Sequence, residues 1–286
     1  MQIGFIGAGL MGGPLARNLI RAGKQVLLFD LSQEAVERTL AAGSSGKAAA
    51  KAKDLAICDV VFTSLPLPQH VLGTMSGPDG LYAAMKKGSI HIELSTIDPK
   101  TAETLAEEAQ EKGIGYIQCT LGKTPAQAEK AEEPMFVGGD KALVDGLEDI
   151  FKIIGQPCYV GSIAASCAVK LISNMVGMTN LAVLAEGIRV GEKAGLDRKL
   201  LLDLLTDTGA RSFQMDVRGP WIAADDFTAR FGLDLALKDV RLGCEMARAW
   251  SLDLPSMEAA LASYGKASAA GYGKEDCNAV YKVIGK

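Results

Sequence analysis

A lysine and an asparagine four residues apart, Lys170 and Asn174, stand in the segment GSIAASCAVKLISNMVGMTNLA. Residues at that spacing share one face of a helix, so the ammonium and the amide would project together. Val169, Leu171, Ile172, Met175 and Val176 surround them. A lysine partly desolvated among such side chains releases its proton more readily than one in water, and so can act as a general acid or base near neutral pH. The plainer alternative is an exposed lysine on the solvent stripe of the helix with Asn174 as filler, and on spacing alone that alternative is preferred. Histidine, the more usual proton carrier, is scarce: His70 and His91 both lie outside the helical half, His91 in a strand pattern.

The chain opens on MQIGFIGAGLMGGPLARNLIRAG, in which Gly7, Gly9 and Gly12 directly follow an apolar strand pattern and open an amphipathic helix. In that setting the first glycine permits a tight turn, the second lets a pyrophosphate approach the backbone, and the third lets helix and strand pack closely. Leu10 and Met11 lead into the helix, whose unpaired amides and positive dipole end suit phosphate. A second strand pattern ends in Asp30, about 20 residues on, where a carboxylate can accept hydrogen bonds from an adenosine ribose. It would repel a 2′-phosphate, and Leu31 and Ser32 offer no cation, so NAD is expected over NADP. A glycine-rich turn with a surface aspartate is the bland reading. Strand, glycines, helix, strand and acid in this order favour the phosphate cradle.

The elements that must position these residues alternate in the first half. Strands are expected at Gln2–Ile6, Val26–Phe29, Val60–Ser64, Ile90–Glu93, Gly115–Cys119 and Met135–Val137, with helices notably at Leu10–Ala22, Glu34–Ala42, Pro99–Lys112 and Lys141–Ile153. That alternation implies an α/β Rossmann domain, a mainly parallel, doubly wound sheet covered on both faces. From Ile163 to Ala194 runs a long proline-free helical pattern. Further helices are expected near Arg198–Thr208, Leu233–Trp250, Ser256–Ala270 and Asp276–Ile284, with no convincing strand. The boundary falls near residue 161: a dinucleotide-binding domain over 1–161, then an all-α domain over 162–286 serving substrate binding and oligomerisation.

Composition narrows the partners. The chain has 286 residues, with 48% hydrophobic, 22% charged and a net charge of −4, which suits a soluble globular protein and argues against nucleic acid as a partner. Its six cysteines are scattered, with no C-x-x-C pair, and with two histidines a metal site is not expected. No targeting segment is evident and no uninterrupted apolar run is long enough to span a bilayer, so a cytoplasmic protein with no membrane partner is expected.

Across nearly its whole length the sequence resembles the β-hydroxyacid dehydrogenase family. GFIGAGLMGGPLARNLIRAG is similar to the family's extended cofactor fingerprint. SLPLPQHV resembles its nicotinamide-side loop, which implies that Leu65 and Pro66 line the cofactor. ELSTIDP resembles the segment that implies Ser95 and Thr96 near nicotinamide and substrate. GSIAASCAVKLISN resembles the catalytic helix, which implies that Lys170 transfers the proton and Asn174 orients the substrate. FGLDLALKDVRL is similar to the late motif whose aromatic and lysine, here Phe231 and Lys238, approach the cofactor; without the resemblance, Lys238 reads as a helix-surface residue paired with Asp239.

One segment departs from the pattern. The usual Asp-Ala-Pro-Val-Ser-Gly-Gly of the substrate turn is replaced by QCTLGKT, with Gly122 in place of the serine and Lys123 in place of a glycine. Gly122 and the Thr124 hydroxyl can preserve an anion-binding turn, to which Lys123 adds a full charge. A Gly-Arg-Thr version resembles the sulfolactaldehyde reductase branch, so a sulfonate, a second carboxylate or another strong anion could face Lys123, as could bulk solvent. The resemblance implies NAD(H)-dependent hydride transfer to or from a short anionic aldehyde or hydroxyacid, by a homodimer or homotetramer. A non-catalytic NAD sensor and an imine reductase are the competing readings.

Overall fold

The computed structural model describes residues 1–285. The chain divides into two compact units, Met1–Lys170 and the remainder from Leu171 on. The division falls later than residue 161 because the first turns of the long helix are bound to the sheet: Thr120 Oγ1 donates to the Ser166 carbonyl at 2.9 Å, and Ser166 Oγ donates to the Phe136 carbonyl at 2.6 Å.

In the first unit, β1 (Gln2–Ile6), β2 (Gln25–Phe29), β3 (Gly46–Ala48), β4 (Val60–Thr63), β5 (Ile90–Glu93), β6 (Gly115–Leu121), β7 (Pro134–Gly139) and β8 (Gln156–Gly161) form one sheet. Its order is β3-β2-β1-β4-β5-β6-β7-β8, antiparallel between β6 and β7 and parallel elsewhere. The connecting helices are α1 (Gly12–Arg21), α2 (Gln33–Leu40), α3 (Pro68–Met75), α4 (Pro99–Glu111), α5 (Pro125–Glu129), α6 (Lys141–Asp145) and α7 (Glu148–Ile154). This is the doubly wound sheet expected of a Rossmann domain. Local chemistry sets the helix starts. Asp98 caps α4 by accepting the Thr101 amide at 2.9 Å, with Pro99 in the first turn, and the Ser32 hydroxyl accepts the Ala35 amide at the start of α2.

The strands alternate between two buried faces, as a period of two requires. Ile3 and Phe5, Val60 and Phe62, Ile92, and Ile117 and Cys119 enter one apolar core with α1 residues Leu15 and Leu19. The intervening positions face the other core, where Val61, Met75, Tyr82, Leu105 and Tyr116 pack. Thr63, His91, Glu93 and Gln118 point to that second face and are fully buried there. Register aligns Ile6, Thr63 and Glu93, the last residues of β1, β4 and β5, with Gln118 in the middle of β6.

The second unit is helical: the rest of α8 (Ile163–Lys193), then α9 (Arg198–Leu205), α10 (Phe213–Ala223), α11 (Leu233–Ala249) and α12 (Pro255–Ala267), ending in a 3₁₀ turn at Cys277–Val283. By length and composition α8 would suffice to cross a bilayer. One face of it, with Leu171, Met175, Met178, Leu181, Ala185 and Ile188, is buried within the fold, while Ile172, Val176, Val183 and Val190 are exposed.

Several elements differ from expectation. The helix expected over 141–153 is two, because Leu147 leaves the helical region after Gly146. β3, β8, α3, α5 and α10 lie outside the expected elements. β3 is a short, mostly exposed Gly-Lys-Ala edge, and β8 is a half-exposed edge strand carrying Pro157. α10 contains Gly219 and Pro220, which weaken its helical signature.

Candidate active site

The three fingerprint glycines have different local reasons. Gly7 sits at φ +97°, and a Cβ there would lie 2.2 Å from the Ser64 carbonyl oxygen. A Cβ on Gly12 would lie 2.1 Å from the Gly7 carbonyl oxygen. Both are therefore demanded by the chain itself. At Gly9 a Cβ would meet nothing within 4 Å, and the residue is exposed. Its small size serves something outside the chain, which fits a pyrophosphate against the backbone. Leu10 is exposed beside it, and Met11 stands at the N-cap of α1, with no side chain capping the amides and no acid in the first turn. That end is suited to an anion.

Asp30 is built into the same loop. Its Oδ2 accepts the Ala8 amide at 2.6 Å and its Oδ1 accepts the Ser32 amide at 2.7 Å. Each carboxylate oxygen keeps further acceptor capacity for a ribose hydroxyl. The residues present thus fit a nicotinamide dinucleotide.

At the ends of β4 and β5, Ser95 Oγ accepts the Leu65 amide at 2.8 Å, joining the two loops expected on the nicotinamide side. Ser95 is buried, Leu65 and Thr96 half-buried, and Pro66 exposed. Gln118 reinforces the arrangement: its Nε2 donates to the Glu93 and Ser95 carbonyls at 3.2 and 3.3 Å, while its Oε1 accepts from Tyr116 at 2.7 Å.

The turn Gly122–Thr124 leads from β6 into α5. Its amides face inward: Gly122 N donates to the Pro134 carbonyl at 2.9 Å and Lys123 N donates to Glu133 Oε1 at 2.5 Å. The Thr124 hydroxyl is engaged by Gln127. The Lys123 side chain is exposed. Glu133 lies under this turn with no exposed surface, and its Oε2 has no hydrogen-bond partner among the described residues. Burial raises its pKa, opposed by the Lys123 amide and by the positive charge of Lys170. Lys170, half-buried, lies one helical turn beyond Ser166, which holds α8 to β6 and β7. Glu133 thereby holds the Gly122–Thr124 turn by its Lys123 amide while the Lys170 charge favours its ionised form. Sequence reasoning passed over it because it lies in an acidic AEEP stretch that resembles a solvated loop.

In the second unit, Asn174 Nδ2 donates to Asp239 Oδ2 at 2.5 Å, and Lys238 Nζ lies 2.7 Å from Asp239 Oδ1. Lys238 and Asp239 are both buried, so the surface pair suggested by sequence is an interior one. Phe231 is half-buried, its amide donating to Asp276 Oδ2 at 2.8 Å. Among the described residues no group of three His, Cys, Asp or Glu side chains is placed to hold a metal.

The sheet order, the glycine loop and the acid that follows β2 define a dinucleotide-binding Rossmann domain. Residues 2–164 match the NAD binding domain of 6-phosphogluconate dehydrogenase, and residues 164–284 match the NAD-binding domain of NADP-dependent 3-hydroxyisobutyrate dehydrogenase. The chain is 33% identical to 2-(hydroxymethyl)glutarate dehydrogenase of Eubacterium barkeri, with 99% of this chain and 94% of that one covered. It is 32% identical to the NAD-dependent L-serine dehydrogenase of Pseudomonas aeruginosa, with 99% and 97% covered. The solved structure of 3-hydroxyisobutyrate dehydrogenase from Salmonella typhimurium matches with a TM-score of 0.90 at 27% identity, covering 99% of this chain and 100% of that one. The chain belongs to the β-hydroxyacid dehydrogenase family and is a dehydrogenase that acts on CH–OH groups.

Proposed function

We propose that this protein is an NAD(H)-dependent dehydrogenase of short β-hydroxyacids, working equally as reductase of the matching semialdehydes, on substrates that carry a carboxylate or sulfonate. The observation that carries the reading is Glu133, a buried carboxylate whose Oε1 accepts the Lys123 amide and whose ionised form the Lys170 charge favours. Gly7, Gly9, Leu10, Met11, Gly12 and Asp30 hold the dinucleotide, with Leu65, Pro66 and Thr96 toward its nicotinamide. The bound nicotinamide supplies or receives the hydride. Lys170 gives a proton to the developing alkoxide in reduction and takes the hydroxyl proton in oxidation. Ser95 and the exposed Lys123 ammonium of the turn Gly122–Thr124 orient the substrate by its anion, which fixes the carbon presented to the cofactor. The parts proposed for Asn174 in substrate orientation, and for Phe231 and Lys238 beside the cofactor, rest on the motifs that contain them.

NAD is preferred over NADP because an Asp30 carboxylate repels a 2′-phosphate. Lys123 favours strongly anionic substrates. With its backbone amide spent on Glu133, the exposed ammonium is the group left to meet an anion, which supports a sulfonate or second carboxylate. The relative named for 2-(hydroxymethyl)glutarate handles a dicarboxylate.

A panel of 3-hydroxyacids with one carboxylate, two carboxylates or a sulfonate, each assayed with NAD and NADP, tests the reading. Turnover with NAD and at least one acid is expected. Dinucleotide binding without turnover of any member would favour a sensor instead.

A further inference from the structure

Behind Ser95 lies a buried polar chain that the reaction above leaves unused. Glu93 ends β5 with no exposed surface. Its Oε1 accepts the Ser95 amide at 2.6 Å and its Oε2 accepts the Thr63 hydroxyl at 2.6 Å, and the nearby Ser95 hydroxyl favours the charged carboxylate. Thr63 Oγ1 also lies 2.7 Å from His91 Nε2, and the Tyr82 hydroxyl lies 2.5 Å from His91 Nδ1. Thr63 spends its one proton on Glu93, so it accepts from His91 Nε2–H, and His91 Nδ1 accepts from Tyr82. Every donor in the chain thus points toward one carboxylate. Ser95 Oγ meanwhile accepts the Leu65 amide at 2.8 Å. While Glu93 is ionised, the Ser95 proton is directed inward, and Ser95 offers the site a lone pair but no donor.

We propose that Glu93 is a positioning residue: a buried anion that clamps Ser95 between the loops after β4 and β5 and, on taking up one proton, releases the Ser95 hydroxyl as a donor to the substrate's anionic group. The substrate end of this inference rests on the proposed placing of Ser95 beside the substrate. Protonated, the carboxyl donates to Ser95 Oγ, and the serine's own proton is free to turn outward. The Thr63–His91–Tyr82 side keeps its polarity, because the other carboxyl oxygen still accepts from Thr63.

The surroundings isolate this proton. Burial raises Glu93 to about 7, against the lowering effect of the Ser95 and Thr63 hydrogen bonds. Burial holds His91, on the same strand, down to about 3. Burial, with the Glu93 charge adding to it, raises Tyr82 near α3, Tyr116 on β6 and Cys167 on α8. None of these neighbours changes charge near neutrality, so a proton exchanged there belongs to Glu93.

The test has one arm that needs no turnover. Carboxyl ¹³C resonances of the full chain labelled in glutamate are followed with pH, and the Glu93 signal is assigned by its loss in Glu93→Gln. We expect a midpoint near neutrality that moves upward by roughly half a unit or more in Ser95→Ala, which removes a donor to the charged form. A midpoint below about 5, or one that Ser95→Ala leaves in place, overturns the proposal. If Glu93→Gln does not fold, the glutamate signal displaced by Ser95→Ala supplies the assignment, and the absence of any displaced signal overturns it equally.

The second arm uses 3-hydroxyisobutyrate as probe substrate. Wild-type KM for the acid is expected to rise between about pH 6 and 8, whereas Glu93→Gln, which mimics the protonated carboxyl, stays flat with kcat altered by less than about threefold. A Glu93→Gln variant that keeps the wild-type slope contradicts the proposal. Failure of the wild-type enzyme to turn over any acid of the panel would count against the proposed function, while the titration still decides the role of Glu93.

Discussion

At the fingerprint, identical residues answer to different forces. Gly7 and Gly12 are held by contacts inside the chain, whereas Gly9 faces open space. Gly12→Ala is therefore expected to destabilise the fold by about 1–3 kcal/mol through overpacking. Gly9→Ala is expected to leave the thermal midpoint in place and to weaken NADH binding by about tenfold or more, roughly 1.4 kcal/mol. Thermal melts and fluorescence titration of both variants check the contrast; equal stability loss in the two would refute it. The glycine pattern was legible because it is local in sequence. Glu133 was not, because its meaning comes from Lys123 and Lys170, distant along the chain. The burial of Lys238 could not be read without the family motif for a similar reason: periodicity gives a helix face, but burial depends on what packs against that face.

Among the elements, the strands of the parallel core were readable from their apolar runs, and β5 from the alternation of Ile90, His91, Ile92 and Glu93. Edge strands β3 and β8 lack a buried face and so left no such trace. The junction of α8, α9 and the C-terminal 3₁₀ turn depends on one carboxylate. Glu192 accepts Arg198 Nε at 2.6 Å, the Tyr281 hydroxyl at 2.7 Å and Arg189 Nη1 at 3.0 Å. Partial burial works against its ionisation, but these hydrogen bonds outweigh it and depress the pKa from 4.5 to about 2. A depressed carboxylate contributes stability that is present above the unfolded value and lost as pH falls through the folded one. Glu192→Gln is thus expected to lower the melting temperature at pH 7, with the gap to wild type closing between about pH 4.5 and 2. A gap that is constant across that range would mean that the side chain acts by packing instead of charge.

The molecule as a whole leaves apolar side chains on α8 uncovered. Ile172, Val176, Val183 and Val190 are between 44% and 70% exposed, and they recur at helical spacing along one helix. We propose on this ground that the chain assembles as a homodimer or homotetramer, and light scattering of the wild-type protein is expected to give a multiple of the chain mass. Val183→Glu is expected to shift that mass downward, and a monomeric wild type would end the proposal. The α/β half, the all-α half and the cofactor loop were legible in sequence, whereas the buried chain behind Ser95 needed strand register to become visible. The proposed chemistry turns on Lys170, and Lys170→Met separates its role from cofactor binding. Single-turnover hydride transfer is expected to fall by about 10²–10⁴-fold while the Kd for NADH stays within about twofold of wild type. Near-normal hydride transfer in that variant would show that the proton travels by another group.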